Sequence, residues 1–231
     1  MAETIFDGRM VSVADPERAL ALRYAPCAVR AGLAALWALD ETLGEILRGG
    51  RDPMVSQLRL TWWYEAICRL DHAPPPLQPV LQAITDNLLP HGITGTSLAA
   101  MIDGWEQLID PDPIDDAALG AYAEARGGRL FAAAGAVLGS HDDPLGLAGQ
   151  GWALVDLARH CGDAALTASA LRLARPLLDA ATARRWRPET RSMGMLAHLA
   201  AMDARAETLP LPVQGSPMRQ LRMIRHRFTG R

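Results

Sequence analysis

From residue 15 onward, apolar side chains recur at intervals of three and four residues with polar residues between them. Leu20, Leu22, Val29, Leu33, Leu36, Trp37 and Leu39 form the first such stripe, which has the period of an amphipathic helix. Asp15-Pro16-Glu17 opens it, with a capping carboxylate followed by proline at the first helical position, where a missing N–H costs nothing. Gly49-Gly50 ends this helix or helix pair. Asp52-Pro53 starts the next in the same way, and Met54, Leu58, Leu60, Trp62, Trp63 and Ile67 follow before the Pro74-Pro75-Pro76 breaker. Further helices are predicted at 77–90, 96–109, 115–138, 145–159, 164–181, 188–205 and 216–228, divided by clusters such as Asp110-Pro111-Asp112-Pro113. Leu209-Pro210-Leu211-Pro212 reads as a short extended connection. No strand-like alternation and no fixed-period repeat is visible.

Composition strengthens this picture. With 231 residues, 49% hydrophobic and only 5% aromatic, and with few β-branched residues, the chain reads as one all-α domain spanning 1–231. A net charge of −3 and a pI near 6.1 give no electrostatic case for a nucleic-acid partner. All 23 basic residues are arginine, and Arg219, Arg222, Arg225, Arg227 and Arg231 cluster in one segment. Cys27, Cys68 and Cys161 lie too far apart for a zinc site or a disulfide framework, so a cytoplasmic setting is expected. No apolar run approaches the roughly 20 residues that span a bilayer, and the first residues lack the order of a signal peptide.

The segments RYAPCAVRAGLAALWALDETLGEI, RDPMVSQLRLTWWYEAI, MIDGWE, YAEARGGRLFAAAGAVLG and ALVDLARHCGD resemble, in that order, those of squalene and phytoene synthases. QLRLTWWYEAI, with Gln57, Arg59, Trp62 and Trp63, is the most specific. The resemblance implies an isoprenoid-synthase-type helical bundle around a central apolar cavity, with Arg30, Trp37, Gln57, Arg59, Trp62, Trp63 and Tyr122 at cavity or family-motif positions. It also implies head-to-head joining of two prenyl diphosphates. Two aspartate-rich motifs would face each other and hold Mg²⁺ on the leaving group.

Aligned on Arg30 and Trp37, the first of those motifs falls on Gly44, Glu45 and Arg48, which retain one acidic side chain. The second falls on Ala153, Asp156, Arg159, His160 and Ala164, so its metal-binding aspartates become His160 and Ala164. Asp163 is displaced by one residue, about 100° around a helix. Degradation of both motifs implies a non-catalytic or repurposed member, similar to the branch that includes a mitochondrial complex I assembly factor. Its expected partner is a respiratory-complex subunit or an isoprenoid or lipid, with no catalytic residue, metal ligand or cofactor assigned. The competing expectation is a prenyltransferase of isoprenoid or carotenoid biosynthesis that uses Mg²⁺ in a shifted register through Asp40, Glu41, Glu45, Asp156 and Asp163. The carboxylates of Glu45 or Glu41 and of Asp156 or Asp163 should then face one cavity. A third is an isoprenoid carrier that uses the cavity without the chemistry.

Three other clusters receive plainer readings. Asp156, Arg159, His160 and Asp163 share helical spacing and read as a polar group that could orient one another. Asp110, Asp112, Asp115 and Asp116 read as a capped helix junction, and Gly127-Gly128 as a close helix contact. In PMRQLRMIRHRF, Met218, Leu221, Ile224 and Phe228 form a stripe opposite Arg219, Arg222 and Arg225. The stripe is expected to pack on the bundle, with the arginines in solvent; contact with an anionic membrane, peripheral to the inner membrane, or with an acidic partner is the alternative.

Overall fold

A computed structural model describes residues 14–231 apart from 51, 110–112, 141 and 207–208, together with the backbone of a two-stranded antiparallel ribbon. That ribbon, β1 (Ile5–Phe6) and β2 (Arg9–Met10), is the one departure from the expected absence of strands. Two residues per strand are too few for alternation to register in a sequence. Asp110 and Asp112 lie outside the described residues.

The expected caps set the helix starts. Asp15 Oδ1 accepts the N–H groups of Glu17 and Arg18 at 2.7 and 2.9 Å and opens α1 (Pro16–Arg23). A 3₁₀ turn at Cys27–Val29 separates it from α2 (Arg30–Gly49). Asp52 caps α3 (Pro53–Arg69), followed by α4 (Pro79–Asn87). The span expected as one helix over 96–109 is two short ones, α5 (Gly95–Ala99) and α6 (Ile102–Glu106). Asp115 caps α7 (Asp116–Tyr122), which runs through a π-helical turn at Ala123–Gly128 into α8 (Arg129–Leu138). The chain continues through α9 (Leu145–His160), α10 (Ala164–Thr182), α11 (Arg191–Ala204) and α12 (Pro217–Thr229).

Helix α9 is the hub, packed against α10, α11, α8 and the π turn, while α2 lies on α4 and α8 and α1 rests on α2 and α11. Trp37, Phe131 and Trp152 meet between α2, α8 and α9 with ring centroids 5.4 to 6.3 Å apart. Gly127 of the π turn and Gly149 of α9 make the close contact expected at the glycine pair. A Cβ on Gly127 would stand 2.0 Å from the Gly149 carbonyl oxygen, and the reverse holds too. Backbone cannot yield as a side chain can, so Gly127→Ala is expected to lower folding stability by about 2 kcal/mol or more in urea denaturation. Gly146, with nothing within 4 Å of its Cβ position, is the control. Its change to Ala should be neutral or stabilising, by up to about 1 kcal/mol.

Helix α12 departs from the expected orientation at most positions, although Arg225 is exposed as expected and Ile224 of the stripe is half-buried. It docks through Arg219, Met223 and His226, which are buried, whereas Met218, Leu221 and Phe228 are 71%, 62% and 70% exposed. The cause is polar: Arg219 reaches two buried carboxylates, and His226 stacks on His198 with ring centroids 4.2 Å apart.

Candidate functional site

Between α2 and α9, where an apolar cavity is expected, a buried ionic quartet is enclosed by aromatic rings. Asp40 comes from α2, Asp156 from α9, Arg18 from α1 and Arg126 from the π turn; all four are buried. Arg126 donates through Nε to Asp40 Oδ1 at 2.7 Å and through Nη2 to Asp40 Oδ2 at 2.8 Å, and that Nη2 lies 2.7 Å from Asp156 Oδ2. Arg18 donates to Asp40 Oδ2 at 3.1 Å and to Asp156 Oδ1 at 3.2 Å. Every oxygen of both carboxylates therefore faces a guanidinium. The cations are also sandwiched by rings: Arg18 lies 5.0 Å from the Trp152 centroid and 5.2 Å from that of Trp37, and Arg126 lies 4.2 Å from Trp105.

This arrangement sets the protonation states. Burial alone would raise the Asp156 carboxyl, but Arg126 and Arg18 outweigh it and hold Asp156 well below the usual carboxylate range. Burial pushes the Tyr122 phenol up; its hydroxyl accepts a short hydrogen bond from Arg126. Glu41 is half-buried 3.7 Å from Arg18, and its carboxyl is raised because burial exceeds the pull of that arginine.

A second ionic chain abuts the first. Arg219 donates to Glu17 at 2.5 and 2.9 Å and to Asp203 at 2.5 and 3.0 Å. Arg159 donates to Asp203 Oδ2 at 2.5 and 3.2 Å and to the Pro212 carbonyl at 2.9 Å. A cavity of about 20 Å³ between the two networks is lined by Glu17, Arg18, Asp156, Arg159, Asp203 and Arg219. It has room for about one water and none for a prenyl chain.

The structure separates the residues singled out from sequence. Of the first-motif positions, Glu45 and Arg48 are exposed, and Gly44 is buried against Arg48 and Trp105. The Glu41–Glu45 pair does not converge, since Glu41 turns inward and Glu45 outward. Of the Asp156, Arg159, His160 and Asp163 cluster, Asp156 and His160 stay together, with His160 Nδ1 3.7 Å from Asp156 Oδ1, while Arg159 and Asp163 turn elsewhere. Asp156 joins the quartet, Arg159 the second chain, and His160 is exposed with Nδ1 at 2.7 Å from the Asp156 backbone oxygen. Asp163 caps α10 by accepting the Leu166 N–H at 2.8 Å. Arg30 does not line a cavity either; it donates to the carbonyls of Arg23 and Ala25 at 3.0 and 3.1 Å, securing the end of α1. Trp37, Tyr122 and Trp63 are buried, while Gln57, Arg59 and Trp62 face outward on α3. Gln57 there donates to Glu106 at 2.6 Å.

The family model for squalene/phytoene synthase matches residues 11–189. The chain belongs to that family. No curated protein and no solved structure gives a significant match. Squalene/phytoene synthase chemistry, as the resemblance describes it, needs carboxylates free to bind Mg²⁺. In this member the donor set does not fit that ion: the oxygens of Asp40 and Asp156 are taken by two cations, and the remaining acidic residue of the first motif faces solvent. Among the described residues, no group of three or more His, Cys, Asp or Glu side chains could hold a metal. Likewise, no helix there is long and apolar enough to cross a membrane.

Proposed function

We propose that this chain is a non-catalytic member of the squalene/phytoene synthase family that serves as a binding or assembly protein. The observation that carries this reading is the placement of Arg18 and Arg126 between Asp40 and Asp156. Guanidinium groups engage every oxygen of these two carboxylates, while Glu45 and Asp163, which the enzyme expectation would bring to one cavity, are exposed. An enzyme that ionises a diphosphate must keep such carboxylates available for the charge that develops on the leaving group. Here they are committed to holding α1, α2, α9 and the π turn together.

Outward display of family-motif residues supports a binding role. On α3, Met54, Leu58 and Trp62 lie at four-residue spacing and are 73%, 65% and 50% exposed, an apolar ridge of the sort that protein contacts use. A respiratory-complex subunit as the partner rests on the family resemblance.

Purified protein with farnesyl or geranylgeranyl diphosphate should release no pyrophosphate above background, with or without Mg²⁺. Metal-dependent turnover that Asp156→Asn abolishes would overturn the reading. Tight prenyl binding indifferent to Mg²⁺ would redirect it to an isoprenoid carrier.

A further inference from the structure

The outward face of α12 has a composition at odds with solvent. Met218, Leu221, Arg225 and Phe228 recur at three- and four-residue spacing and so share one face, and all four are exposed. Arg222, half-buried, stands at one edge of this face, whereas Arg227 turns to the bundle and donates to the Tyr24 carbonyl at 3.3 Å. Exposed Arg231 lies just beyond the helix, and no acidic residue follows Glu207. Three large apolar side chains therefore share one face with Arg225 and are bordered by Arg222. The helix is anchored by its other side, where Arg219 is neutralised by Glu17 and Asp203. The usual arrangement, polar face outward, is inverted.

We propose that this face of α12 lies on an anionic lipid bilayer. Charge complementarity selects that occupant. An arginine within an apolar stripe, Arg225, and one at its edge, Arg222, can extend their stems along it and place guanidinium groups among lipid phosphates. Meanwhile Met218, Leu221 and Phe228 enter the boundary between headgroups and acyl chains. The buried Arg219 and His226 fix the rotation of α12, so the apolar face is presented without rearranging the bundle. This docking is independent of whether the chain retains any prenyl chemistry.

The test is co-sedimentation of the full chain with vesicles of phosphatidylcholine alone or with phosphatidylglycerol added. Binding to the anionic vesicles should be at least about tenfold stronger and should weaken as salt is raised. Leu221→Glu/Phe228→Glu, at exposed positions that leave the fold intact by circular dichroism, should lower it by about tenfold or more. Arg225→Gln should cut the preference for anionic lipid without a change in secondary structure. Equal binding to both vesicle types, binding unaffected by the double substitution, or association of the chain only with itself through this face would each overturn the proposal.

Discussion

Replacing Arg126 by alanine is expected to reduce folding stability by about 3 to 5 kcal/mol, because one partner of a buried ionic network is removed and the others remain. Asp40 loses two hydrogen bonds at 2.7 and 2.8 Å, Asp156 loses its 2.7 Å contact, and Tyr122 loses the donor to its hydroxyl. Arg18 alone would then face two buried carboxylates. The midpoint of urea unfolding reports this loss. The exposed Arg205–Asp179 pair, with both side chains 48% accessible, is the internal comparison: Arg205→Ala should cost less than about 1 kcal/mol. Replacing all four quartet residues by apolar side chains of similar volume should restore much of what Arg126→Ala loses, since no charge is then left unpaired. A loss below about 1 kcal/mol for Arg126→Ala would mean that water reaches the quartet, and the argument that its carboxylates are committed would fail.

The quartet also shows where the sequence was legible. Asp40 occupies a core position in the stripe Leu33, Leu36, Trp37, Asp40, Gly44, and Asp156 does so in Gly149, Trp152, Ala153, Asp156. Arg126 follows Leu119, Tyr122 and Ala123 at the same spacing. A charged residue on the buried stripe of a helix is a signal that it has an internal partner. The family alignment instead drew attention one turn later, to Glu45 and Arg48, which the helical repeat rotates into solvent. Pairing itself was not legible, because Arg126 and Asp40 are 86 residues apart and Arg18 and Asp156 are 138 apart. The caps at Asp15, Asp52 and Asp115 were read because capping is decided within four residues. The same physics placed Asp163 at a helix start rather than in a site. For α12 the sequence showed two faces but not which one turns inward, since that depends on Glu17, Asp203 and His198 on other helices.

Lowering the pH from 7 to 5 is expected to cost this protein about 2 to 4 kcal/mol of stability, and the source is the histidine pair under α12. His198 of α11 and His226 of α12 are 5% and 0% exposed. His226 meets the Trp186 ring edge-on at 6.1 Å. His198 Nε2 and both ring nitrogens of His226 have no hydrogen-bond partner. The charged groups facing the pair are Arg222 and Arg205 at His198, and Arg191 and Arg222 at His226. All are cationic, so nothing rewards protonation. Burial, reinforced by those arginines, pulls His198 down to about 4 and His226 down to about 3. With folded values below the unfolded value near 6.5, the unfolded chain takes up protons first as the pH falls. Stability is therefore full above about 6.5 and declines below it, until the folded histidines protonate in turn. The Asp156 contribution has its window lower: it is present above the unfolded carboxylate value near 4 and persists until the pH falls through the lower folded one, so it stays intact between 7 and 5. His198→Leu/His226→Phe should flatten the decline in urea midpoint between those two pH values. The same slope in the double variant would place the acid sensitivity elsewhere. Because His226 also fixes the rotation of α12, loss of protection at the α11–α12 interface in hydrogen exchange should precede global unfolding as the solution is acidified.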